Sequence, residues 1–191
     1  FDASRVVAVT GPKVNEPKYY KTVMGANVGD LLKNGTEEGG RFISGNALTG
    51  TQIAANGHLG FYDYQVTVLT EGGKNRFFGW LPYIGYSGFS LSRTSLSFLS
   101  PNKERDLDTN MNGEERAFVM TGEYEKLFPM DILPVHLLKS MIIEDIDLME
   151  KLGVYEVAPE DFALCEYGCT SKIETQKIVR EALDLVRKEV S

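Results

Sequence analysis

The sequence predicts an α+β protein, with strands in residues 1–100 and helices in residues 101–191. Short β-branched and aromatic runs separated by glycine and proline fill the first part, whereas apolar residues at helical spacing fill the second. The net charge also changes, from +2 in the first part to −9 in the second. At 191 residues the chain is long enough for two such domains.

The N-terminal elements are predicted in the order strand, strand, helix, strand. Residues 6–10 are a β-branched run that a glycine–proline pair ends, and residues 19–23 form the second strand. A short helix over residues 27–33 would be capped by Asn27, and residues 41–44 form the third strand. This order is that of a β-grasp fold.

An added hairpin is predicted after the β-grasp elements. Residues 62–68 alternate, with two tyrosines and two valines on one face, which predicts a half-buried strand. Residues 71–75 form the hairpin turn and residues 76–81 the returning strand. Residues 89–94 are a further extended piece, and the polar residues 101–113 are a loop.

The chain is predicted to become helical after Gly113. Residues 134–143 form an apolar-rich helix, residues 144–145 interrupt it, and residues 146–152 continue it until Gly153.

The last helix is predicted from a start signal and an apolar stripe. Ser171 and Glu174 match a capping box, in which each side chain pairs with an exposed backbone amide at the helix start. The residues that follow at helical spacing on one face are Val179, Ala182, Leu183, Val186 and Val190.

Both cysteines lie just before that helix. Cys165 and Cys169 are four residues apart, so one helical turn would point both sulfurs the same way. The spacing resembles the end of a bacterial ferredoxin motif, in which a cysteine, three residues and Cys-Pro lead into a helix. On that pattern Phe162 and Pro159 occupy earlier cysteine positions, and Phe128 occupies the fourth-cysteine position of a second cluster. The resemblance implies a ferredoxin-like helical domain without cluster ligands.

Three site hypotheses have simpler structural alternatives. An iron–sulfur or zinc site needs three or four soft ligands, and the chain has two cysteines, so we favour two packed, reduced thiols. Residues 108–113 match half of an EF-hand loop, but Val119 stands where that loop needs glutamate, so we favour an Asx-rich turn leading into a helix. Residues 44–51 lack the Gly-Lys-Ser/Thr ending of a phosphate-binding loop, so we favour a glycine-dependent turn.

Aromatic residues are dense between positions 77 and 89. They are Phe77, Phe78, Trp80, Tyr83, Tyr86 and Phe89. They would form either a quinone or partner-docking surface or the packing of the hairpin, and we favour packing. No nucleophile–base arrangement is evident. We therefore predict no catalytic, cofactor-binding or metal-binding residues.

The charge argues against nucleic-acid binding, and the hydropathy argues against a membrane-spanning segment. A net charge of −7 argues against nucleic acid, whose phosphates need a basic surface. No run approaches the roughly 18 apolar residues that span a bilayer. Because the chain begins with Phe1, we also expect it to be a fragment of a longer protein that lacks its N-terminal part.

The N-terminal elements resemble the soluble-ligand-binding β-grasp (SLBB) domain. The resemblance lies in residues 9–11, Pro17, Tyr19, the helix end at 31–32 and residues 42–45. That domain recurs in the flavoprotein subunit of complex I and in one subunit of the Rnf complex, where a ferredoxin segment with intact ligands follows it.

Seven stretches together resemble the C-terminal half of the NQRA family, whose members are subunits of the Na+-translocating NADH:quinone oxidoreductase (Na+-NQR). They are residues 41–51, 59–63, 78–80, 89–94, 113–122, 128–134 and 164–165. The resemblance implies a soluble, peripheral subunit on the cytoplasmic face of the bacterial inner membrane. It implies docking on the other subunits, chiefly a membrane subunit, of a pump that uses NADH, flavins, an iron–sulfur centre and ubiquinone.

The resemblance also implies a role for this part of the NQRA protein. It would be a scaffold that binds no cofactor of its own, although the whole NQRA protein is associated with quinone binding. The alternative is an independent small-ligand-binding β-grasp module.

Overall fold

The computed structural model describes residues 2–32, 35–36, 38–73, 96–99, 102 and 104–190. The chain divides into two compact units, Phe1–Asn110 and Met111–Ser191. Each unit has its own cluster of buried apolar side chains. Among the described helices, none has both the length and the apolar character that crossing a bilayer requires.

The first unit is built on one five-stranded sheet. Its described elements are β1 Ser4–Thr10, β2 Lys18–Val23, α1 Val28–Leu31, β3 Gly40–Ser44, β4 Thr51–Ile53, β5 Gln65–Thr70 and a 3-10 helix at Leu96–Leu99. The strand order is β2-β1-β5-β3-β4. β1 and β5 run parallel, and the other neighbouring pairs are antiparallel. The chain therefore combines a mixed sheet with helices, as predicted at the level of an α+β class.

The central strand β5 differs from its prediction. It begins at Gln65 rather than at Tyr62, and every residue from Val66 to Leu69 is buried. Tyr62 and Tyr64, expected on the buried face, are 86% and 58% exposed. The prediction of a half-buried strand was wrong because β5 has a strand on each side and is covered on both faces.

The short helix α1 packs against the sheet. Val28 of the helix joins Val7, Val66 and Val68 in the apolar core of this unit. Asn27 occupies the predicted N-cap position, but its side chain makes no capping hydrogen bond. Its Nδ2 instead donates a hydrogen bond to the carbonyl oxygen of Asn56 at 2.7 Å. The predicted cap position is therefore right, but the predicted capping hydrogen bond was wrong.

The turn between β3 and β4 confirms the backbone-turn interpretation of residues 44–51. Gly45 has a φ of +98°, a conformation that favours glycine. The Oδ1 atom of Asn46 accepts hydrogen bonds from the backbone N–H groups of Leu48 and Thr49, which closes an Asx turn. Strand β4, which the sequence analysis missed, follows directly.

The second unit is helical. Its described elements are α2 Tyr124–Leu127, α3 Pro134–Ile142, α4 Ile146–Lys151, 3-10 helices at Val154–Glu156 and Pro159–Phe162, α5 Ala163–Gly168 and α6 Thr175–Val190. The interrupted helix predicted over residues 134–152 is confirmed, and Gly153 ends it with a φ of +90°. The helical start predicted after Gly113 was wrong, because residues 114–123 have no helix.

The last helix begins later than its predicted start signal implies. Ser171 lies four residues before α6 and is buried, so the predicted capping box was wrong. The cap comes from a neighbouring helix. Glu166 of α5 accepts hydrogen bonds through Oε2 from the backbone N–H of Gln176 at 2.8 Å and from the Thr175 hydroxyl at 3.4 Å. Of the predicted apolar stripe, Val179, Ala182 and Val186 are buried and Leu183 packs against the same cluster, so the stripe is confirmed over residues 179–186. The side chain of Val190 lies outside the described part of the structure.

Several predictions lie outside the described residues. They are the returning strand 76–81, the extended piece 89–94 and the aromatic residues from Phe77 to Phe89, including Trp80. Of the predicted hairpin turn 71–75, the structure describes residues 71–73.

Candidate functional site

The two cysteines lie in the core of the helical unit. Cys165 is on α5, and Cys169 is the residue that directly follows this helix. Both are free and buried, at 0% and 3% exposed. The prediction of two reduced thiols that pack as small apolar groups is confirmed.

Tyr124 of α2 contacts both thiols. Its hydroxyl donates a hydrogen bond to Sγ of Cys169 at 2.9 Å, and Ile173 donates its backbone N–H to the same sulfur at 3.4 Å. Sγ of Cys165 donates to the carbonyl oxygen of Tyr124 at a long 3.8 Å. These contacts join α2 to α5 and to the segment that leads into α6.

The surroundings of Cys165 and Tyr124 keep these two groups protonated. Burial raises the pKa of the Cys165 thiol to about 12, and the negative charge of Glu125 contributes in the same direction. Burial also raises the pKa of Tyr124, with a further contribution from its hydrogen bond to Cys169. At neutral pH, Cys165 is therefore a neutral thiol and a poor nucleophile or metal ligand.

The structure brings together the positions that the ferredoxin resemblance assigns to one cluster. Phe128 and Phe162 are buried, and their ring centroids lie 4.6 Å apart at an interplanar angle of 47°. Both belong to the same apolar cluster as Cys165, and Pro159 is buried in the 3-10 turn just ahead. In two-cluster ferredoxins, three cysteines of one motif and the fourth of the other hold each cluster. Positions 159, 162 and 165, together with 128, correspond to such a set.

A second set was missed by the sequence analysis. The same spacing, counted back from Phe128, falls on Tyr124, Thr121 and Phe118. The rings of Phe118 and Tyr124 lie 5.6 Å apart, and Tyr124 contacts Cys169, which is the cross-motif partner on this pattern. Thr121 is exposed. The signal was available in the sequence, because the Phe128–Pro129 pair already marked the end of a motif.

The side chains present do not fit an iron–sulfur cluster. Each cluster needs four ligands, normally thiolates, and each set contains one cysteine, its other positions being aromatic residues, a proline or a threonine. The remaining thiol of the first set, Cys165, has a pKa of about 12. Within the described part of the chain, no group of three or more His, Cys, Asp and Glu side chains is close enough to hold a metal ion.

The Asx-rich segment of the first unit forms a closed turn, as the simpler interpretation predicted. Asp108 accepts two hydrogen bonds from Asn110. Its Oδ1 accepts from the backbone N–H of Asn110 at 3.1 Å, and its Oδ2 accepts from the side-chain amide of Asn110 at 2.9 Å. The hydroxyl oxygen of Thr109 accepts from the backbone N–H of Gly72 at 2.7 Å. The Asx turn is confirmed, although no helix follows residue 113 directly.

An exposed aromatic group surrounds Arg5 in the first unit. The guanidinium carbon of Arg5 lies 4.7 Å from the ring centroid of Tyr64 and 5.3 Å from that of Phe61. The guanidinium also donates to the carbonyl oxygen of Phe61 at 2.6 Å. Tyr62 packs edge-on against Phe61, with ring centroids 4.8 Å apart. The three rings are 57%, 86% and 58% exposed for Phe61, Tyr62 and Tyr64, and they are a second candidate site, for a planar ligand.

Comparisons with known proteins identify the family. Residues 6–55 match a family model of SLBB type that is described as the NQRA C-terminal domain. The chain is 40% identical over 99% of its length to the corresponding Na(+)-translocating NADH-quinone reductase subunit of Rhodopirellula baltica, and 42% identical over 99% to that of Pasteurella multocida. The relative from Shewanella frigidimarina is 39% identical. The chain spans about 42% of the length of the first two relatives. Over its whole length the chain is therefore a relative of the NQRA proteins, the Na(+)-translocating NADH-quinone reductase subunits, and the family model that it matches describes their C-terminal domain.

Proposed function

We propose that this chain is a scaffold and docking part of the NQRA protein in a sodium-pumping NADH:ubiquinone oxidoreductase. It lies at the cytoplasmic face of the inner membrane and binds the other subunits, chiefly a membrane subunit. It holds no cofactor of its own, and NADH, the flavins, the iron–sulfur centre and ubiquinone are bound elsewhere in the complex. The names of relatives about 40% identical over the whole chain support this assignment.

The observation that carries the proposal is the replacement of metal ligands by packed rings. A functional ferredoxin-like domain would present thiolates at positions 128, 159, 162 and 165. Here two phenylalanine rings in contact and a proline take three of these positions. Such an arrangement suits a domain that is retained for its shape, and it supports a ferredoxin-like origin of residues 101–191.

The β-grasp part of the proposal concerns residues 1–100. The described order β1, β2, α1, β3 is the order of a β-grasp fold, and α1 packs on the sheet through Val28. The match to an SLBB-type family model over residues 6–55 supports it further. The returning strand of the predicted hairpin, residues 76–81, lies outside the described residues and remains part of the proposal.

Removing the helical part from the complex tests the scaffold role. In the full complex, reconstituted with an NQRA protein that lacks residues 111–191, the whole helical unit, we expect the other subunits to separate during purification. As a control, the double variant Cys165→Ala/Cys169→Ala is expected to assemble and to retain quinone reduction. It loses the hydrogen bond between Tyr124 and Cys169, which should lower the stability of the unit without removing its surface. Retained assembly of the truncated complex, with full activity, would contradict the proposal. Retained assembly with lost quinone reduction would instead indicate a functional site.

A small-ligand β-grasp module is the second candidate function. The exposed rings around Arg5 favour it, because a quinone ring could stack on them. A cavity of the first unit, lined by Val9, Tyr20 and Leu31, does not serve this purpose. Its volume of about 10 Å³ accommodates at most one water molecule.

Titration with a short-chain quinone separates the two candidates. Trp80 is the single tryptophan of the chain, so its fluorescence reports binding within the first 100 residues. For a scaffold we expect no saturable change up to the solubility of the quinone. Saturable quenching of the Trp80 fluorescence that Tyr62→Ala weakens would favour the ligand-binding module. Quenching that is the same in the wild type and in Tyr62→Ala would indicate non-specific quenching by the quinone.

A further inference from the structure

A groove runs between α3 and α6 of the helical unit. Ile178, Glu181, Ala182 and Leu185 line one side, at positions i, i+3, i+4 and i+7 of α6, and Met141 and Ile142 line the other. This spacing places the four residues on one face of α6. The volume of the groove is about 240 Å³.

The groove is apolar at its base and open to solvent. Met141 and Ala182 are buried, whereas Ile142 is 50% exposed at the rim. Ile143, the next residue, is 68% exposed but does not line the groove. Ile178 and Leu185 are half-buried, so together with Ile142 they leave apolar surface accessible along the groove.

The charges around the groove are mainly negative. Glu144 and Glu181 are both exposed and line it. The carbonyl end of α3, at Ile142, adds a partial negative charge. Lys177 and Lys188 of α6 lie beside this face, four residues before Glu181 and three residues after Leu185, and Lys177 is paired with Glu174. Residues 111–191 carry 17 acidic against 9 basic side chains, so the unit as a whole favours a basic partner.

The size of the groove decides what kind of occupant suits it. Sites for small molecules usually enclose roughly 300–1,000 Å³ and bury most of the ligand. A shallow groove of about 240 Å³ is smaller. It suits a few apolar side chains projecting from one face of a helix, as in helix-in-groove recognition.

We propose that the α3–α6 groove binds an amphipathic helix of a partner subunit, with its apolar side chains in the groove and its lysine or arginine side chains near Glu144 and Glu181. This inference rests on the proposed function, because it identifies the docking face of the scaffold. Cytoplasmic segments next to membrane spans carry an excess of lysine and arginine, so a membrane subunit offers segments of this chemistry.

A peptide titration tests the chemistry of the groove. The probe is a synthetic helical peptide with leucines at i, i+3, i+4 and i+7 and lysines on its other face. We expect saturable binding to the 191-residue chain. Ile142→Glu should weaken it about tenfold or more, because an unpaired carboxylate would be buried in the contact. Ile143→Glu is the matched control and should change the affinity less than about twofold.

The charge part of the inference has its own matched pair. Glu181→Lys should weaken peptide binding and reduce its dependence on ionic strength, whereas Asp184→Lys, on the same helix outside the groove, should do so less. All four variants alter exposed side chains, and circular dichroism verifies their folding. Equal effects of Ile142→Glu and Ile143→Glu, or no binding by the folded wild-type chain, would overturn the inference.

The same variants in the assembled complex distinguish this inference from the proposed function. A full-length NQRA protein that carries Ile142→Glu should lose co-purification with the other subunits, while Ile143→Glu should retain it. If both variants retain it while the deletion of residues 111–191 abolishes it, the scaffold role stands and the groove is not the docking face. If the deletion also retains assembly, the proposed function itself fails, and the peptide titration alone decides the groove.

Discussion

Cysteines at positions 128, 159 and 162 are expected to give this chain an iron–sulfur cluster. The variant Phe128→Cys/Pro159→Cys/Phe162→Cys, together with Cys165, restores the four positions that one cluster of a two-cluster ferredoxin uses. The contact between the Phe128 and Phe162 rings indicates that these positions face a common volume. After anaerobic reconstitution with iron and sulfide, we expect about four iron atoms per chain and a broad visible absorption band.

The controls for this experiment follow from the ligand count. The wild-type chain, with one cysteine in each set, should retain far less than one iron atom per chain under the same treatment. Adding Cys165→Ala to the triple variant should remove most of the iron, because three ligands would remain.

The apo triple variant lacks two core rings, so we expect it to be destabilised and to regain stability when the cluster forms. A triple variant that folds, by circular dichroism, but takes up no more iron than the wild type would contradict the ferredoxin-like assignment. If the variant is unfolded both with and without iron and sulfide, the same conclusion holds, because cluster formation should restore the fold.

Phe162→Ala is expected to destabilise the helical unit by about 3–5 kcal/mol. Phe162 is 0% exposed, packs against the Phe128 ring and belongs to the cluster that contains both thiols. Removing its ring leaves a cavity among elements that cannot easily close it, because the 3-10 turn and α5 are joined at this residue. Urea unfolding followed by circular dichroism at a helical wavelength measures the loss.

The control for the core prediction is a large apolar residue on the surface of the same unit. Ile143→Ala removes a side chain that is 68% exposed, and its effect should stay within about 0.5 kcal/mol. A change below about 1 kcal/mol for Phe162→Ala would show that the ring is not part of a close-packed core.

The helical unit was largely predictable because its signals are local. The break between α3 and α4 and the end at Gly153 were found from neighbouring residues alone. The start of α6 was not, because its cap is Glu166, which lies nine residues before the first helical residue and belongs to another helix. A capping-box pattern cannot report such a contact, because it considers side chains within one turn of the helix start.

The sheet was less predictable because burial of a strand depends on its neighbours. The alternation over residues 62–68 indicated one buried face. However, β5 is a central strand, and its adjacent residues Val66 and Thr67, which point to opposite faces of the sheet, are both buried. β4 has three residues and pairs only with β3 among the described strands, so its sequence carries little signal of its own.

The candidate site was predictable as a set of positions but not as a set of contacts. The resemblance to a ferredoxin motif assigned Phe128, Pro159 and Phe162 to ligand positions. It did not reveal that Tyr124 hydrogen-bonds to Cys169, 45 residues away along the chain. Pairing between two motifs is a tertiary property, and only the packing of α2 against α5 shows it.

The protonated, buried thiol of Cys165 has a consequence for the sensitivity of this unit to oxidation. Peroxides and other oxidants attack thiolates rather than thiols. The Cys165 thiol is neutral and 0% exposed, so it offers little for these oxidants to attack. We therefore expect Cys165 to stay reduced in the presence of peroxide for as long as the helical unit remains folded.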